Sequence, residues 1–281
     1  MPRIALIQQS ASADNVANIE KGLANALEAI QNGAKILVFP ELAFTRFFPQ
    51  HHLQGNRLDL AEPIPGPTTE PFCELAAEHG VVIVLNLYER SGMNAYDSSP
   101  VIDADGSILG TTRMMHITQY ESFYEQEYYD PGDSGAPVYE TAHGRLGVCI
   151  CYDRHYPEYL RSMALKDAEI IVIPQAGAAG EWPQGVFEAE LQAGSFQHGF
   201  YMALSNRVGA EEVLTFAGES FITDPMGQVI AQAPSGRDAI LYADLDYRKV
   251  SSSPARQLFL RHRRSDQYSD LSNSSAEVEQ F

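Results

Sequence analysis

Cys151 ends an apolar run that predicts a strand, and a helical sequence follows it. A thiol at the carboxyl end of a strand faces the free N–H groups and the positive dipole end of the following helix, which favour thiolate over thiol. The alternation of Val148 and Ile150 with the cysteines predicts that Cys149 and Cys151 share one face of the strand. Only Cys151 reaches the end of the strand. It is therefore the candidate nucleophile, and Cys149 is predicted to be a small buried apolar residue.

A carboxylate follows a second predicted strand. Residues 36–40 read as a buried strand that ends at a proline, and Glu41 comes directly after it. In open α/β sheets the functional groups gather at the carboxyl ends of the strands, so Glu41 is expected near Cys151. A thiol that attacks a carbonyl carbon needs a proton acceptor of this kind. The two residues are therefore candidates for nucleophile and general base.

Two other kinds of site have less support in the same sequence. A cysteine–histidine pair of the papain kind would need His116, His155 or His198, and none of them lies in a recognisable local signature. A metal site would need ligands at one of the usual spacings, whereas His51 and His52 are simply adjacent in a predicted loop. The sequence therefore predicts neither a metal nor a metal-dependent reaction.

The composition is that of an acidic globular protein. The chain has 281 residues, 44% of them hydrophobic, and a formal net charge of −18. That charge argues against nucleic acid or an anionic membrane as a partner. No apolar stretch is as long as a membrane span, and the first apolar run is too short for a signal peptide. Three cysteines are an odd and small number, which argues against a disulfide framework and for a reducing cytoplasm.

Predicted helices and strands alternate along much of the chain. Strands are predicted at residues 3–9, 36–40, 81–87, 146–151, 170–174 and 201–206, and helices at 14–32, 68–79, 160–165 and 186–198. Shorter strands follow at 96–102, 108–117, 218–223, 228–233 and 239–243. The pattern predicts an α/β fold with mixed sheets and outer helices. We expect one domain over residues 1–264 and a polar tail over 265–281 that is mobile or lies on a partner.

Three ordered motifs resemble the nitrilase, or carbon–nitrogen hydrolase, superfamily. They are Phe39-Pro40-Glu41, then Glu125 with Tyr128-Tyr129-Asp130-Pro131-Gly132, and Cys151-Tyr152-Asp153 with Tyr156-Pro157-Glu158. The resemblance extends from residue 3 to about residue 242. It implies a four-layer αββα sandwich that pairs with a second copy through its helices. It also implies a hydrolase of amide- or nitrile-class compounds that needs no cofactor.

The resemblance assigns the catalytic residues with one exception. It implies Glu41 as general base, Cys151 as nucleophile and Glu125 as a glutamate that orients the substrate and the catalytic groups. The family also has a lysine that holds the oxyanion, within an arginine-lysine-x-histidine stretch. Here the stretch is Arg113-Met114-Met115-His116, so Met114 occupies the lysine's position. The four lysines of the chain lie elsewhere, at Lys21, Lys35, Lys166 and Lys249.

The methionine leaves three possibilities open. Another cation, from His116 or Arg113, replaces the lysine; or the protein is a degenerate relative that binds a ligand without catalysis; or the methionine was introduced into the chain. Losing one oxyanion donor costs about 10²–10³ in rate. Because Glu41, Glu125 and Cys151 are all retained, we favour a working hydrolase.

The residues after the nucleophile indicate the class of substrate. Cys151-Tyr152-Asp153-Arg154-His155 looks most like the N-carbamoyl-amino-acid amidohydrolases and β-ureidopropionases, in some of which basic residues at these positions hold the substrate's carboxylate. We therefore expect substrate contacts from Tyr152, Arg154, His155 and His116, with Tyr152 acting through its backbone N–H. A salt bridge of Arg154 to Asp153 or Glu158 is the alternative. The predicted partner is a small amide or N-carbamoyl compound that yields ammonia.

Overall fold

The computed structural model describes residues 1–272. The strands are β1 (Arg3–Gln8), β2 (Ile36–Val38), β3 (Val82–Val84), β4 (Leu87–Ser91), β5 (Asn94–Ile102), β6 (Ile108–Arg113), β7 (Val138–Thr141), β8 (Gly144–Val148), β9 (Ile170–Gln175), β10 (Tyr201–Asn206), β11 (Val208–Ala210), β12 (Thr215–Ala217), β13 (Phe221–Thr223), β14 (Val229–Gln232) and β15 (Ala239–Asp244). The helices are α1 (Asn15–Gln31), α2 (Thr69–His79), α3 (Pro157–Leu165), α4 (Val186–His198) and α5 (Arg248–Ser251).

Most of the strands belong to two mixed sheets. The first sheet has the order β15-β1-β2-β3-β5-β4, with β6 paired to β5, and the second has the order β14-β13-β10-β9-β8-β7. The strands β1, β2 and β3 are parallel, as are β8, β9 and β10. Antiparallel strands flank both parallel sets, and β11 and β12 form a separate hairpin. The predicted mixed-sheet architecture is confirmed.

Apolar side chains fill three layers around these sheets. Along β1, Ile4 and Leu6 belong to a central cluster that also contains residues of the second sheet, whereas Ala5 and Ile7 pack outward with residues of α1 and α2. This follows from the period of two in a strand. A third cluster lies between the second sheet and the helices α3 and α4. The layers are therefore helix, sheet, sheet and helix, which confirms the predicted four-layer sandwich.

Several elements have the predicted bounds. The helix α4 and the strand β10 cover the predicted residues, and α1 is capped by Asp14, whose Oδ1 accepts a hydrogen bond from the Ala17 N–H at 3.1 Å. At the other end of the chain, residues 265–272 form two short 3₁₀ segments, Ser265–Gln267 and Ser269–Ser272. The rest of the predicted tail lies outside the described residues. Among the described residues, no helix is long and apolar enough to cross a membrane.

Candidate active site

Cys151 lies on a sharp turn beyond the end of a strand. The strand β8 ends at Val148, and a 3₁₀ segment, Cys151–His155, begins at the cysteine, whose φ of +43° is in the left-handed region. Such a backbone is costly for a residue other than glycine and concentrates at functional sites. The turn also interrupts the alternation, so Cys149 packs in the outer cluster with α3 and α4 while Cys151 belongs to the central cluster. The prediction that both cysteines share one face is wrong.

Glu41 lies beside Cys151 on a loop whose backbone is held by the buried side chains of Arg207 and Asn86. The guanidinium of Arg207, 1% exposed, donates to the backbone carbonyls of Glu41 at 2.9 Å, Leu42 and Thr45. The amide oxygen of Asn86 accepts from the Leu42 N–H at 2.7 Å. Glu41 itself is completely buried. The run Asn206-Arg207-Val208-Gly209 resembles a family loop beside the site, but only the structure shows that this arginine positions the base.

Glu125 and Met114 complete the inner wall. Glu125 begins a short 3₁₀ segment, Glu125–Glu127, and is completely buried. Met114 directly follows β6, is also completely buried, and belongs to the same central cluster as Cys151. Arg113 points the other way and pairs with Glu89 at 2.6 Å. Consecutive residues of a strand point to opposite faces, which predicts from the sequence that Arg113 faces away from Met114, and the structure confirms this.

The motif that ends at Gly132 anchors Met114. The Gly132 N–H donates to the Met114 carbonyl at 2.8 Å, and a Cβ at residue 132 would come within 2.3 Å of the Arg113 carbonyl oxygen. Two residues earlier, the Asp130 carboxylate receives hydrogen bonds from Arg57 at 2.8 and 3.1 Å. The motif is therefore structural at these positions: it holds the chain that carries Met114 against the site.

Asp153 ties the loop after β6 to the turn that carries the nucleophile. Its buried carboxylate accepts from the Met115 N–H at 3.2 Å and the His116 N–H at 3.0 Å, and it lies 2.6 Å from the His116 Nδ1. The His116 ring also stacks on Tyr156, with 3.4 Å between ring centroids. His116 is thus paired with Asp153 rather than with Cys151. His116 is therefore not the cation that replaces the family's lysine beside Cys151.

Arg154 is buried, and two of its nitrogen atoms donate hydrogen bonds to other groups of the protein. It is 2% exposed; its Nε donates to the Glu190 carboxylate at 3.0 Å, and its Nη1 donates to the Cys151 carbonyl at 2.9 Å and the Gln175 Oε1 at 2.8 Å. Its ion-pair partner is Glu190, on α4, so the alternative of a bridge to Asp153 or Glu158 is wrong. That alternative considered only local neighbours, whereas α4 packs over this turn.

Gln175 is a site residue to which the sequence motifs assigned no role of its own. It is the last residue of β9 and completely buried, and its Nε2 donates to the Cys151 Sγ at 3.2 Å. Because its Oε1 accepts from Arg154, the orientation of the amide is determined and an N–H points at the sulfur. Its place at the carboxyl end of a parallel strand is the sequence signal for such a role.

His155 and Tyr152 lie at the outer side of the site. The His155 Nδ1 is 2.6 Å from the Glu190 carboxylate, and its ring packs edge-on against Tyr152 and Trp182. Trp182 also lines a cavity of about 540 Å³, together with Phe187 and Asn206 among others, whereas Cys151, Glu41 and Glu125 do not line it. The run from Pro174 to Pro183 follows a predicted buried strand and was expected in the wall of a pocket; it lines this cavity from residue 178 onward.

Buried carboxyl groups dominate the electrostatics of the site. Burial and the nearby Glu125 raise the pKa of Glu41 to about 8, and burial above all raises the pKa values of Glu125 and Asp97 well above their usual range. Burial, then Glu41 and Glu125, raise the pKa of Cys151 as well, and Arg154 offsets only part of that rise. The expected thiolate in the free protein is wrong, because the short 3₁₀ segment is outweighed by burial and two carboxyl groups.

Asp97 is a second site residue that the sequence missed. It lies on β5, is completely buried, and accepts a hydrogen bond from Asn86, while its other carboxyl oxygen has no well-formed partner. It is close enough to Glu41 for a carboxyl–carboxyl hydrogen bond, which requires at least one of the two groups to hold a proton. The hydroxyl of Tyr129 is buried nearby, also without a well-formed bond. An acidic residue in the middle of a predicted strand was the available signal.

Known proteins share this architecture over nearly the whole chain. The carbon–nitrogen hydrolase family model matches residues 3–255. A citrullinase from Francisella tularensis is 33% identical, covering 96% of this chain and 97% of its own. An N-carbamoylputrescine amidase from Solanum lycopersicum is 32% identical, covering 95% and 94%. The crystal structure of a carbon–nitrogen hydrolase from Helicobacter pylori G27 matches with a TM-score of 0.91 and 31% identity, covering 97% and 99%.

The chain therefore belongs to the carbon–nitrogen hydrolase family of the nitrilase superfamily. This confirms the resemblance found in the three motifs. Its relatives include proteins named for N-carbamoyl compounds, the branch that the residues after Cys151 indicated.

Proposed function

We propose that this protein is a thiol-dependent hydrolase that releases ammonia from linear amide or N-carbamoyl compounds through a covalent intermediate on Cys151. The observation that carries the proposal is the pairing of a buried carboxyl with the thiol: Glu41 lies beside Cys151, whose Sγ receives a hydrogen bond from Gln175 at 3.2 Å. The relatives named as citrullinase and N-carbamoylputrescine amidase support the class of substrate.

The geometry suits a two-step reaction. In its ionised form, Glu41 accepts the thiol proton as Cys151 Sγ attacks the carbonyl carbon, and the same proton then passes to the leaving nitrogen, which departs as ammonia. Glu41 next takes a proton from water, which attacks the acyl- or carbamoyl-thioester and regenerates the thiol. A linear amide yields a carboxylic acid and ammonia. An N-carbamoyl amino acid yields carbon dioxide, ammonia and the amino acid, and Glu125 orients the substrate in both cases.

We propose further that Met114 stands where the family has its lysine, and that Arg154 acts in its place through Gln175. The guanidinium polarises the Gln175 amide, whose N–H and the backbone N–H of Tyr152 are then the donors for the oxyanion. This makes Arg154 a positioning residue. His155, His116 and Tyr152 remain the predicted contacts of the substrate.

Ammonia release from a panel of N-carbamoyl amino acids and simple amides tests the proposal. We expect turnover by the unchanged protein, a loss of at least about 10³-fold in Cys151→Ala, and little change in Cys73→Ala, a cysteine outside the site. Intact-protein and peptide mass spectrometry should locate the acyl or carbamoyl adduct on Cys151. Equal ammonia release by Cys151→Ala would refute the mechanism.

The second candidate is a degenerate relative that binds a carboxylate-bearing ligand without turning it over. The observation that favours it is the absence, within residues 1–272, of a lysine near Cys151: Lys21 pairs with Asp238, Lys249 pairs with Asp224, Lys166 donates to the Ala136 carbonyl, and Lys35 is exposed. Ligand-induced stabilisation without ammonia release across the panel would support this candidate.

The proposal includes a homodimer formed through the outer helices of the second sheet. Phe196 on α4 is 39% exposed and packs edge-on against Phe259, which is 40% exposed, and Leu258 beside it is 55% exposed. An apolar group of this kind is unusual on the surface of a monomer. Light scattering should give twice the chain mass, and Phe196→Asp should shift the protein toward monomer.

A further inference from the structure

The centre of the site holds several buried carboxyl oxygens that are poorly paired. Glu41 and Glu125 are completely buried, and none of their four carboxyl oxygens has a well-formed hydrogen bond, although Glu41 is within reach of Asp97 and Cys151 and Glu125 is within reach of the Thr118 backbone. One oxygen of the buried Asp97 is in the same condition. Both glutamates are close enough to Cys151 to raise the pKa of its thiol. Two carboxyl groups thus lie beside the nucleophile, and the third, Asp97, lies beside Glu41. A buried acceptor that has no donor destabilises the folded protein.

The nearby cations do not neutralise this group. Within the described part of the chain, Arg207 and Arg154 are the arginines whose charges reach Glu41 and Cys151. The Nη atoms of Arg207 donate to backbone carbonyls and to Glu211. The bonded atoms of Arg154 donate to Glu190, Gln175 and the Cys151 carbonyl. Neither guanidinium donates to a carboxyl oxygen of Glu41 or Glu125.

The wall beside the nucleophile is apolar where a donor would be useful. Met114, completely buried in the cluster with Cys151, presents a thioether, which cannot donate a hydrogen bond. An attacked neutral carbonyl gains negative charge and needs donors there, whereas an attacked amidinium loses its positive charge and needs none. The same amidinium offers N–H donors in a planar fork, the geometry that pairs best with carboxylates.

We propose that the site hydrolyses cationic amidinium or guanidinium compounds, with Glu41 and Glu125 as the acceptors of the substrate's N–H groups. The substrate then brings the positive charge and the donors that the protein lacks. Its arrival favours ionisation of both glutamates, since each carboxylate gains a cationic neighbour. The inference rests on the proposed cysteine mechanism and names a substrate class for the same site.

The reaction balances with water as the only co-reactant. Cys151 Sγ forms a bond to the central carbon while the C=N π pair becomes a lone pair on nitrogen, which gives a neutral tetrahedral adduct. The thiol proton, carried by Glu41, moves to one amino group, and ammonia leaves as a thioimidate or thiouronium forms. Water adds to that carbon and the thiol departs. An amidinium and water give an amide and ammonium, and a guanidinium gives a urea and ammonium.

Matched substrate pairs test the inference: acetamidine against acetamide, and propylguanidine against propylurea. We expect kcat/KM for the cationic member of each pair to exceed that of the neutral member at least about tenfold, with acetamide and propylurea seen by NMR as products. Cys151→Ala serves as the blank. Turnover of the neutral members alone would overturn the inference and leave the proposed function standing, whereas no turnover of either member would overturn both.

Met114→Lys provides a second and independent test. The lysine side chain is about as long as methionine but adds a charge, so we expect kcat/KM for acetamidine to fall at least about 100-fold through like-charge repulsion and that for acetamide to rise. Met114→Leu, a change without charge, should keep the order of preference for each pair. A Met114→Lys variant that folds, as judged by circular dichroism, and still prefers acetamidine would overturn the inference.

Discussion

Replacing Glu41 by glutamine should stabilise the protein at neutral and mildly alkaline pH, although it removes the proposed base. Burial and Glu125 raise the pKa of Glu41 from 4.5 to about 8 in the folded protein. The unfolded chain therefore loses this proton near pH 4.5, while the folded chain keeps it until about pH 8. Between these values the folded state binds the extra proton, so its stability falls as the pH rises.

The size of this effect follows from the two pKa values. The difference between the two pKa values of Glu41, 4.5 and about 8, corresponds to about 5 kcal/mol of unfolding free energy. This free energy is lost at about 1.4 kcal/mol per pH unit as the pH rises, and it is fully lost above pH 8. Asp97 and Glu125 remain in the variant and keep raised pKa values of their own. We therefore expect Glu41→Gln to recover about half of the loss, about 2–3 kcal/mol at pH 8, and almost nothing at pH 4.5.

Urea unfolding at pH 5, 6, 7 and 8, at one protein concentration, measures this difference. Glu20→Gln is the matched control, because Glu20 is exposed on α1 and the same change there should leave the pH dependence as it is. The variant at residue 41 should give a shallower fall of unfolding free energy with pH than either the control or the unchanged protein. Parallel curves for all three proteins would refute the argument that Glu41 is held protonated by burial.

Two further predictions concern the supports of the nucleophile. Gln175→Leu removes the N–H that points at the Cys151 sulfur and the oxygen that accepts from Arg154. We therefore expect kcat to fall about 10²–10³-fold. An unchanged kcat would exclude the Gln175 amide as an oxyanion donor. Asp153→Ala removes the acceptor of two backbone N–H groups and of the His116 ring, and should cost about 3 kcal/mol in urea unfolding, while Asp153→Asn, which keeps an acceptor oxygen, should cost less.

Local patterns were enough to predict most of the fold. The helix α4 and the strand β10 have the predicted bounds, because apolar periodicity, and for α4 the following Gly199, can be recognised over a few residues. The strand β8 was predicted to begin two residues too late and to end three residues too late. Its apolar run continues to Cys151, but the chain leaves the sheet after Val148 and turns into the left-handed region at the cysteine. Composition carries no signal for such a turn.

The sequence predicted only part of the candidate site. Its motif residues Glu41, Glu125 and Cys151 do meet, and the opposite directions of Arg113 and Met114 follow from strand alternation. Asp97 and the contact of Gln175 with the Cys151 sulfur were missed, since each residue comes from a strand that no motif marks.

The sequence by itself determined which residue types can react, where most of the strands and helices form, and that a methionine occupies the position of the family's lysine. Only the tertiary structure decided what those groups do to one another. The pKa of Cys151 depends on the carboxyl groups of Glu41 and Glu125, which reach the thiol from distant parts of the chain. Burial and charge interactions are set by distances in space. The burial of this thiol beside poorly paired carboxyl groups is therefore a property of the two packed sheets, and the sequence pattern does not contain it.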